Sequence, residues 1–236
     1  MLSRTAGNLY WMGRYLERAD FTARLIEATQ RLAALPSGYG GATNAWESAL
    51  AAACMTDAFA ATGLALGEHE VTEFLTLNAG NPSSIRACLE AARSNARAVR
   101  TALTEEAWEA INTAWLEVSR YGTHLSSRET LGQLIEYVKH AVAAFDGAAS
   151  RTMLRGDAFW FINLGSAIER ADNSARLLDV KYHLLLPSGD GVGGSLDYFQ
   201  WTTILRTVSA MTAYRWVYRD SVKPWLVADL LILNRE

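Results

Sequence analysis

A chain of 236 residues makes one large domain or two small ones, and with 50% of its residues hydrophobic it can bury a sizeable core. Its formal charge of −3, with acidic and basic residues mixed along the chain, lacks the basic excess of a nucleic-acid groove. No stretch of about 18 uninterrupted apolar residues occurs, so no membrane-spanning helix is expected, and the opening MLSRTAGNLYWMGRYLERAD lacks the charged start and apolar run of a signal peptide.

The four prolines leave long segments rich in Ala, Leu, Glu and Arg, which favour helix. No alternating run of β-branched residues predicts a strand. Apolar spacing of three and four predicts helices near 5–34, 44–65, 67–78, 83–101, 104–121, 128–153, 157–186, 195–218 and 223–233. Pro36 stops the first of these, with Gly38 two residues on. Asn81-Pro82-Ser83 leads into the helix at 83–101. Thr104 caps the next, with Glu105 and Glu106 against its positive end. Pro187, followed by Gly189, stops the helix at 157–186. Cys54 and Cys88 lie in Ala/Leu-rich helical stretches and read as buried thiols in a reducing cytoplasm, not as a disulfide framework.

Slid against itself by 152 positions, the chain repeats. Gly13, Glu17, Arg18, Ala19 and Asp20 fall on Gly165, Glu169, Arg170, Ala171 and Asp172, and Ala23, Arg24 and Leu25 on Ala175, Arg176 and Leu177. Leu35-Pro36-Ser37-Gly38 matches Leu186-Pro187-Ser188-Gly189, Trp46 meets Trp201, and Leu75-Thr76-Leu77-Asn78 meets Leu231-Ile232-Leu233-Asn234. The expected fold is therefore an all-α helical bundle built from an internal duplication. Repeat 1 covers about 1–150 and repeat 2 about 153–236. The two halves share one core about a pseudo-twofold axis, in a single domain over 1–236. The second half is shortened at its C-terminus: it lacks a counterpart of residues 82–150, which would leave apolar area uncovered.

The repeated words YLERAD and AIERAD lie on the two long helices. On the first, Leu9, Met12, Leu16, Ala23 and Ile26 make one apolar face, and Tyr10, Trp11, Phe21 and Leu25 a second, so a central helix is expected. Between them runs a polar stripe of Gly13, Glu17, Asp20, Arg24 and Glu27, repeated as Gly165, Glu169, Asp172, Arg176 and Asp179. Asp20 and Arg24, and Asp172 and Arg176, are i,i+4 pairs. Arg18 and Arg170 project roughly 100° away from Glu17 and Glu169, toward another helix, a partner or an anion.

Buried charges persist when paired, so the leading reading is a closed Glu/Asp/Arg network where the two copies face each other. A second reading has the carboxylates as acid/base or metal-binding groups. A di-metal bundle wants Glu-x-x-His, and here Asp stands three residues after each Glu, so no metal is expected. A third has the cluster recognising a polar ligand or peptide.

GDGVGG at 189–194 has the letters of a dinucleotide fingerprint but follows a helix, not a strand, and reads as a linker like PSGYGG at 36–41. His69, His124, His140 and His183 show no metal-ligand spacing, and no catalytic residue or cofactor site is expected. YRWVYRDSVKPW at 214–225 is aromatic and basic. Its bland reading is a helix end packed under Trp216, Tyr218 and Trp225. The sharper one is a partner-binding surface of Arg215, Trp216, Tyr218 and Trp225.

MLSRTAGNLYWMGRYLERAD, NPSSIRACLEAARSNARAVR, AIERADNSARLLDVKYHLLLP and YFQWTTILRTVSAMTAYR together resemble the bacterial alpha-E domain, with Glu17-Arg18 and Glu169-Arg170 as its Glu-Arg motif. The resemblance covers essentially the whole chain, except that family members usually run on past the LILN position into further helices. It implies a partner more than a reaction. Alpha-E proteins are encoded beside, or fused to, circularly permuted ATP-grasp ligases, often near transglutaminase-like peptidases. The expectation is a non-catalytic cytoplasmic accessory protein of an amide or peptide ligation system, binding the ligase or its peptide substrate. The rivals are an enzyme or ligand-binding bundle using Glu17, Asp20, Glu169 and Asp172, and a homo-oligomeric scaffold.

Overall fold

A computed structural model describes residues 1–35, 42–122, 124–125, 127–183 and 195–234. The glycine-rich segments at 36–41 and 189–194, with Pro36, Gly38, Pro187 and Gly189, lie outside the described residues. The regular structure of the described residues is all helical, with no strand among them. The helices are α1 (Ser3–Ala33), α2 (Ala42–Ala52), α3 (Thr56–Ala60), α4 (Glu68–Thr76), α5 (Ile85–Ala98), α6 (Glu105–Ser119), α7 (Arg128–Thr152), α8 (Asp157–His183), α9 (Ser195–Thr207), α10 (Met211–Tyr218) and α11 (Pro224–Ala228). A 3₁₀ turn, Arg100–Ala102, follows α5, and a π turn, Asp229–Leu233, follows α11. No described helix is long and apolar enough to cross a membrane.

The chain forms two compact units, one of Met1–Ala23 with Thr72–Ala171, the other of Arg24–Val71 with Asp172–Glu236. Each unit draws on residues from both of the expected repeats, and neither coincides with one.

In the first unit, α6 packs against both α5 and α7. Each helix starts where a hydroxyl can satisfy a bare N–H. Ser84 accepts from the Ala87 N–H at 3.3 Å, Thr104 from Ala107 at 3.4 Å, and Ser127 from Thr130 at 3.1 Å. Asn81 is buried and ties the approach to α5, donating to the Phe74 carbonyl at 3.0 Å and accepting from the Ser83 N–H at 2.9 Å. The helical period then buries Ile85, Leu89 and Ala92 on α5, and Leu134, Val138 and Phe145 on α7. Each such large side chain removed from water contributes about 1.5–3 kcal/mol.

In the second unit, two helices that apolar spacing predicts as continuous are broken. The expected 44–65 helix divides at Cys54 (φ 54°), and the expected 195–218 helix at Ser209 (φ 61°). Both breaks close the same way. The Met55 N–H reaches back to the Leu50 carbonyl at 2.8 Å, and the Ala210 N–H to Leu205 at 2.7 Å, around one left-handed residue. Such turns usually take Gly, so neither Cys nor Ser announces one. The turn also exposes Cys54, contrary to the expected burial; Cys88 is buried, and both thiols are free. Trp46 and Trp201 are both buried in this unit.

Candidate functional site: the Glu-Arg exchange

Within the first unit, α1 and α8 touch backbone to backbone at two glycines. A Cβ placed on Gly13 would lie well inside 3.0 Å of the Ile162 carbonyl oxygen, and one on Gly165 would do the same to Tyr10. Ser166 Oγ adds a bond to the Gly13 carbonyl at 3.3 Å. Absence of side chains here permits the approach, and the approach brings the next turn of each helix within side-chain reach of the other.

On that next turn the two Glu-Arg motifs exchange partners. Arg170 donates to Glu17 through Nε at 2.9 Å and Nη2 at 2.7 Å. Arg18 donates to Glu169 through Nε at 2.7 Å and Nη2 at 3.1 Å. These are two-point guanidinium–carboxylate pairs, the stronger class of ionic hydrogen bond. Of the destinations expected for Arg18 and Arg170, another helix, a partner or an anion, the structure shows the first: each reaches the glutamate of the other helix. Projection on one helix gives the direction of the Cα–Cβ bond, but a neighbouring helix at glycine-contact distance lies within reach of a long guanidinium stem.

The two carboxylates are not equivalent. Glu169 is 0% exposed and takes a third donor, Arg14 Nε, at 2.5 Å. Arg14 is steadied by its Nη1 bond to the Tyr10 hydroxyl at 2.9 Å and by the Trp11 ring, 5.4 Å away. Arg18 also reaches Ser83 Oγ, at 3.4 Å. Burial opposes the charge on Glu169, but bonds and charge from Arg18 and Arg14 outweigh it and hold the carboxyl below its ordinary range. Glu17 meets an arginine whose side chain is 64% exposed, and α7 brings Asp146 alongside. Asp146 stays exposed as a residue, yet partial burial of its carboxyl, then the charge of Glu17, push it up to about 6, while Arg170 opposes the rise.

Glu169, 0% exposed and accepting three guanidinium N–H groups, is engaged within the protein and not presented to solvent. Cys88, the buried thiol beside Arg18, is pushed up to about 12 by burial, which leaves it neutral and a poor nucleophile. Among the described residues no group of three or more His, Cys, Asp and Glu is arranged to hold a metal. The chemistry of the arrangement is cohesion between two helices.

The other site residues divide between the units. Asp20 is buried in the first unit, where its charge acts on Asp146 and Arg170. Arg24 is half-buried on α1 in the second. Asp172 and Arg176 pair along α8 as expected, Arg176 Nε lying 3.2 Å from Asp172 Oδ1. Trp11 is exposed, not part of a second buried face. Trp216 and Trp225 are exposed, as is Arg215, while Tyr218 donates to the Asp229 carboxylate. The buried anchor of that segment is Tyr214, whose hydroxyl donates to the Ser221 carbonyl at 2.7 Å and accepts from the Lys223 N–H at 3.1 Å.

Sequence reasoning missed Tyr214 as an anchor, Arg14 and Asp146 as neighbours of the exchange, and a second buried ion pair. Lys181 on α8 is buried against Asp197 of α9 at 2.7 Å and Gln200 at 2.5 Å. A lysine alone in an apolar helical period is the signal that could have found it.

Fold and site together define an all-helical chain in which the helices α1 and α8 are joined by two Glu-Arg motifs. The chain belongs to the Alpha-E family: its model, described as a predicted alpha-helical domain with a conserved ER motif, matches residues 1–236. No curated protein and no solved structure matches the chain.

Proposed function

We propose that this chain is a non-catalytic accessory protein of an amide-forming ATP-grasp ligase system in the cytoplasm, binding the ligase or its peptide substrate. The observation that carries this reading is the exchange itself. The motif residues Glu17, Arg18, Glu169 and Arg170 are spent on one another, which leaves the family's signature as a framework and not as a reacting group. The same exchange supports an internal duplication about a pseudo-twofold axis. A shift of 152 turns Glu17–Arg170 into Glu169–Arg18, and Gly13 on Ile162 into Gly165 on Tyr10. Exposed Trp216 and Trp225, flanked by Arg215, supply the kind of surface that interfaces favour. A transglutaminase-like peptidase is a further partner on this reading.

Calorimetry with the neighbouring ligase, combined with an assay of amide formation, tests it. Binding that Trp216→Ala and Trp225→Ala weaken, with a change in ligase rate or substrate affinity, supports the accessory role. No binding and no effect on the ligase overturns it.

A further inference from the structure

A row of arginines follows the contact of α5 with α6. Arg86, Arg93 and Arg97 lie on α5, and Arg100 opens the 3₁₀ turn after it. Seven residues make nearly two helical turns, so Arg86 and Arg93 share one face about 10 Å apart, and Arg97 falls one turn beyond Arg93 on that face. α6 receives the row in order. Arg86 Nη2 donates to the Ser119 carbonyl at 3.2 Å, and Arg93 Nε to Asn112 Oδ1 at 2.8 Å. The guanidinium of Arg93 stands 4.4 Å from the Trp115 ring, and that of Arg100 stands 5.1 Å from Trp108.

Every one of these fixing contacts is to a neutral group. Arg14, Arg18 and Arg170 meet carboxylates. Among the described residues, Arg86, Arg93, Arg97 and Arg100 form no ion pair, and Glu90, on the same face of α5, binds none of them. Arg86 and Arg93 are half-buried, and Arg97 and Arg100 are exposed. A ring stack and a bond to an amide set the plane of a guanidinium without cancelling its charge. Arg93 uses one of its five N–H donors in this way, among the described residues. The row therefore presents oriented, charged forks, and the group that matches such a fork in two-point geometry is a carboxylate.

We propose that the arginine row of α5 and α6 binds an acidic peptide segment of a partner protein. Carboxylates recurring about every 10 Å, as Glu or Asp at every seventh position of a helix would place them, match the row. A nucleic-acid backbone fits it less well. Its charges are closely spaced, and they would also meet Glu90 and the exposed Glu105 and Glu109 of α6. The proposal does not depend on the ligase reading, because it rests on the row alone and is tested without a ligase.

The probe is fluorescein-labelled poly-glutamate of about 20 residues, long enough to span the row as a helix. It is added to the full chain at low salt and followed by anisotropy. Saturable binding is expected, and Arg93→Gln combined with Arg100→Gln weakens it about tenfold or more. Arg97→Gln breaks no bond among the described residues and weakens it about threefold, so the test survives if the double variant fails to fold. Arg31→Gln makes the same change in net charge at an exposed arginine paired with Glu27, and it leaves binding unchanged. No saturable binding overturns the proposal. So does binding that Arg97→Gln leaves intact, or that Arg31→Gln weakens equally. A single-stranded oligonucleotide of matched charge that binds as tightly also overturns it, because the row is then a general polyanion surface.

Discussion

Arg18 of α1 holds Glu169 of α8, and the bond is mirrored one residue apart by Arg170 and Glu17. The mirror is imperfect, because Glu169 is sealed and doubly paired while Glu17 faces a largely exposed arginine. Removing one partner of a buried pair strands the other charge, at about 3–5 kcal/mol. Glu169→Ala is therefore expected to lower stability by about that amount, and Glu17→Ala by clearly less, because water can resolvate Arg170. Urea unfolding of both variants checks the order, and equal losses contradict it.

The same asymmetry sets opposite pH dependences. Glu169 titrates below its ordinary range, so its contribution is present above the unfolded-state pKa of about 4.3 and is lost as pH falls through the lower folded value. Glu169→Gln should flatten the acid limb of the stability profile. Asp146 is raised to about 6, so its ionisation beside Glu17 costs stability as pH rises from about 4 to 6. Asp146→Asn is expected to melt higher than the parent chain above about pH 6 and equally at about pH 4. A melting difference that does not change with pH contradicts the assignment.

Gly13→Ala and Gly165→Ala each push a methyl group into a backbone carbonyl that cannot rotate away. Overpacking of this kind costs about 1–3 kcal/mol. Once one substitution has spread the helices, the second has less left to disturb, so the double variant should lose less than the sum. Strict additivity in thermal melts contradicts a shared contact.

These residues show how far the sequence is legible. The helical class and the starts of α5, α6 and α7 follow from apolar period and from Ser, Thr and Asn at the right places, because those signals are local. The duplicated Glu, Arg and Gly could be read as important, but not as exchanged. Which carboxylate meets which guanidinium depends on the separation of two helices 152 residues apart, and the clue to that separation was glycine at matched positions. The breaks at Cys54 and Ser209 had no signal at all, since left-handed turns built on non-glycine residues are imposed by tertiary packing. Asp146 lay outside both repeats of the motif and was invisible until α7 was placed.

Lys181, Asp197 and Gln200 provide a comparison from the second unit. Lys181→Met leaves the Asp197 carboxylate buried without its cation and is expected to cost about 3–5 kcal/mol. The double variant Lys181→Met/Asp197→Leu removes both charges and should recover much of that loss. A double variant as unstable as the sum of the singles contradicts a direct pair.

If the Glu-Arg motif holds α1 to α8 by exchange, a charge swap across Glu17 and Arg170 should preserve the bond with its direction reversed. Glu17→Arg and Arg170→Glu are each expected to lower the melting temperature, since each sets like charges face to face. The double variant restores the attraction with its direction reversed. Recovery of most of the combined loss in the double variant is the predicted result. Losses that simply add would show that the two residues do not hold each other.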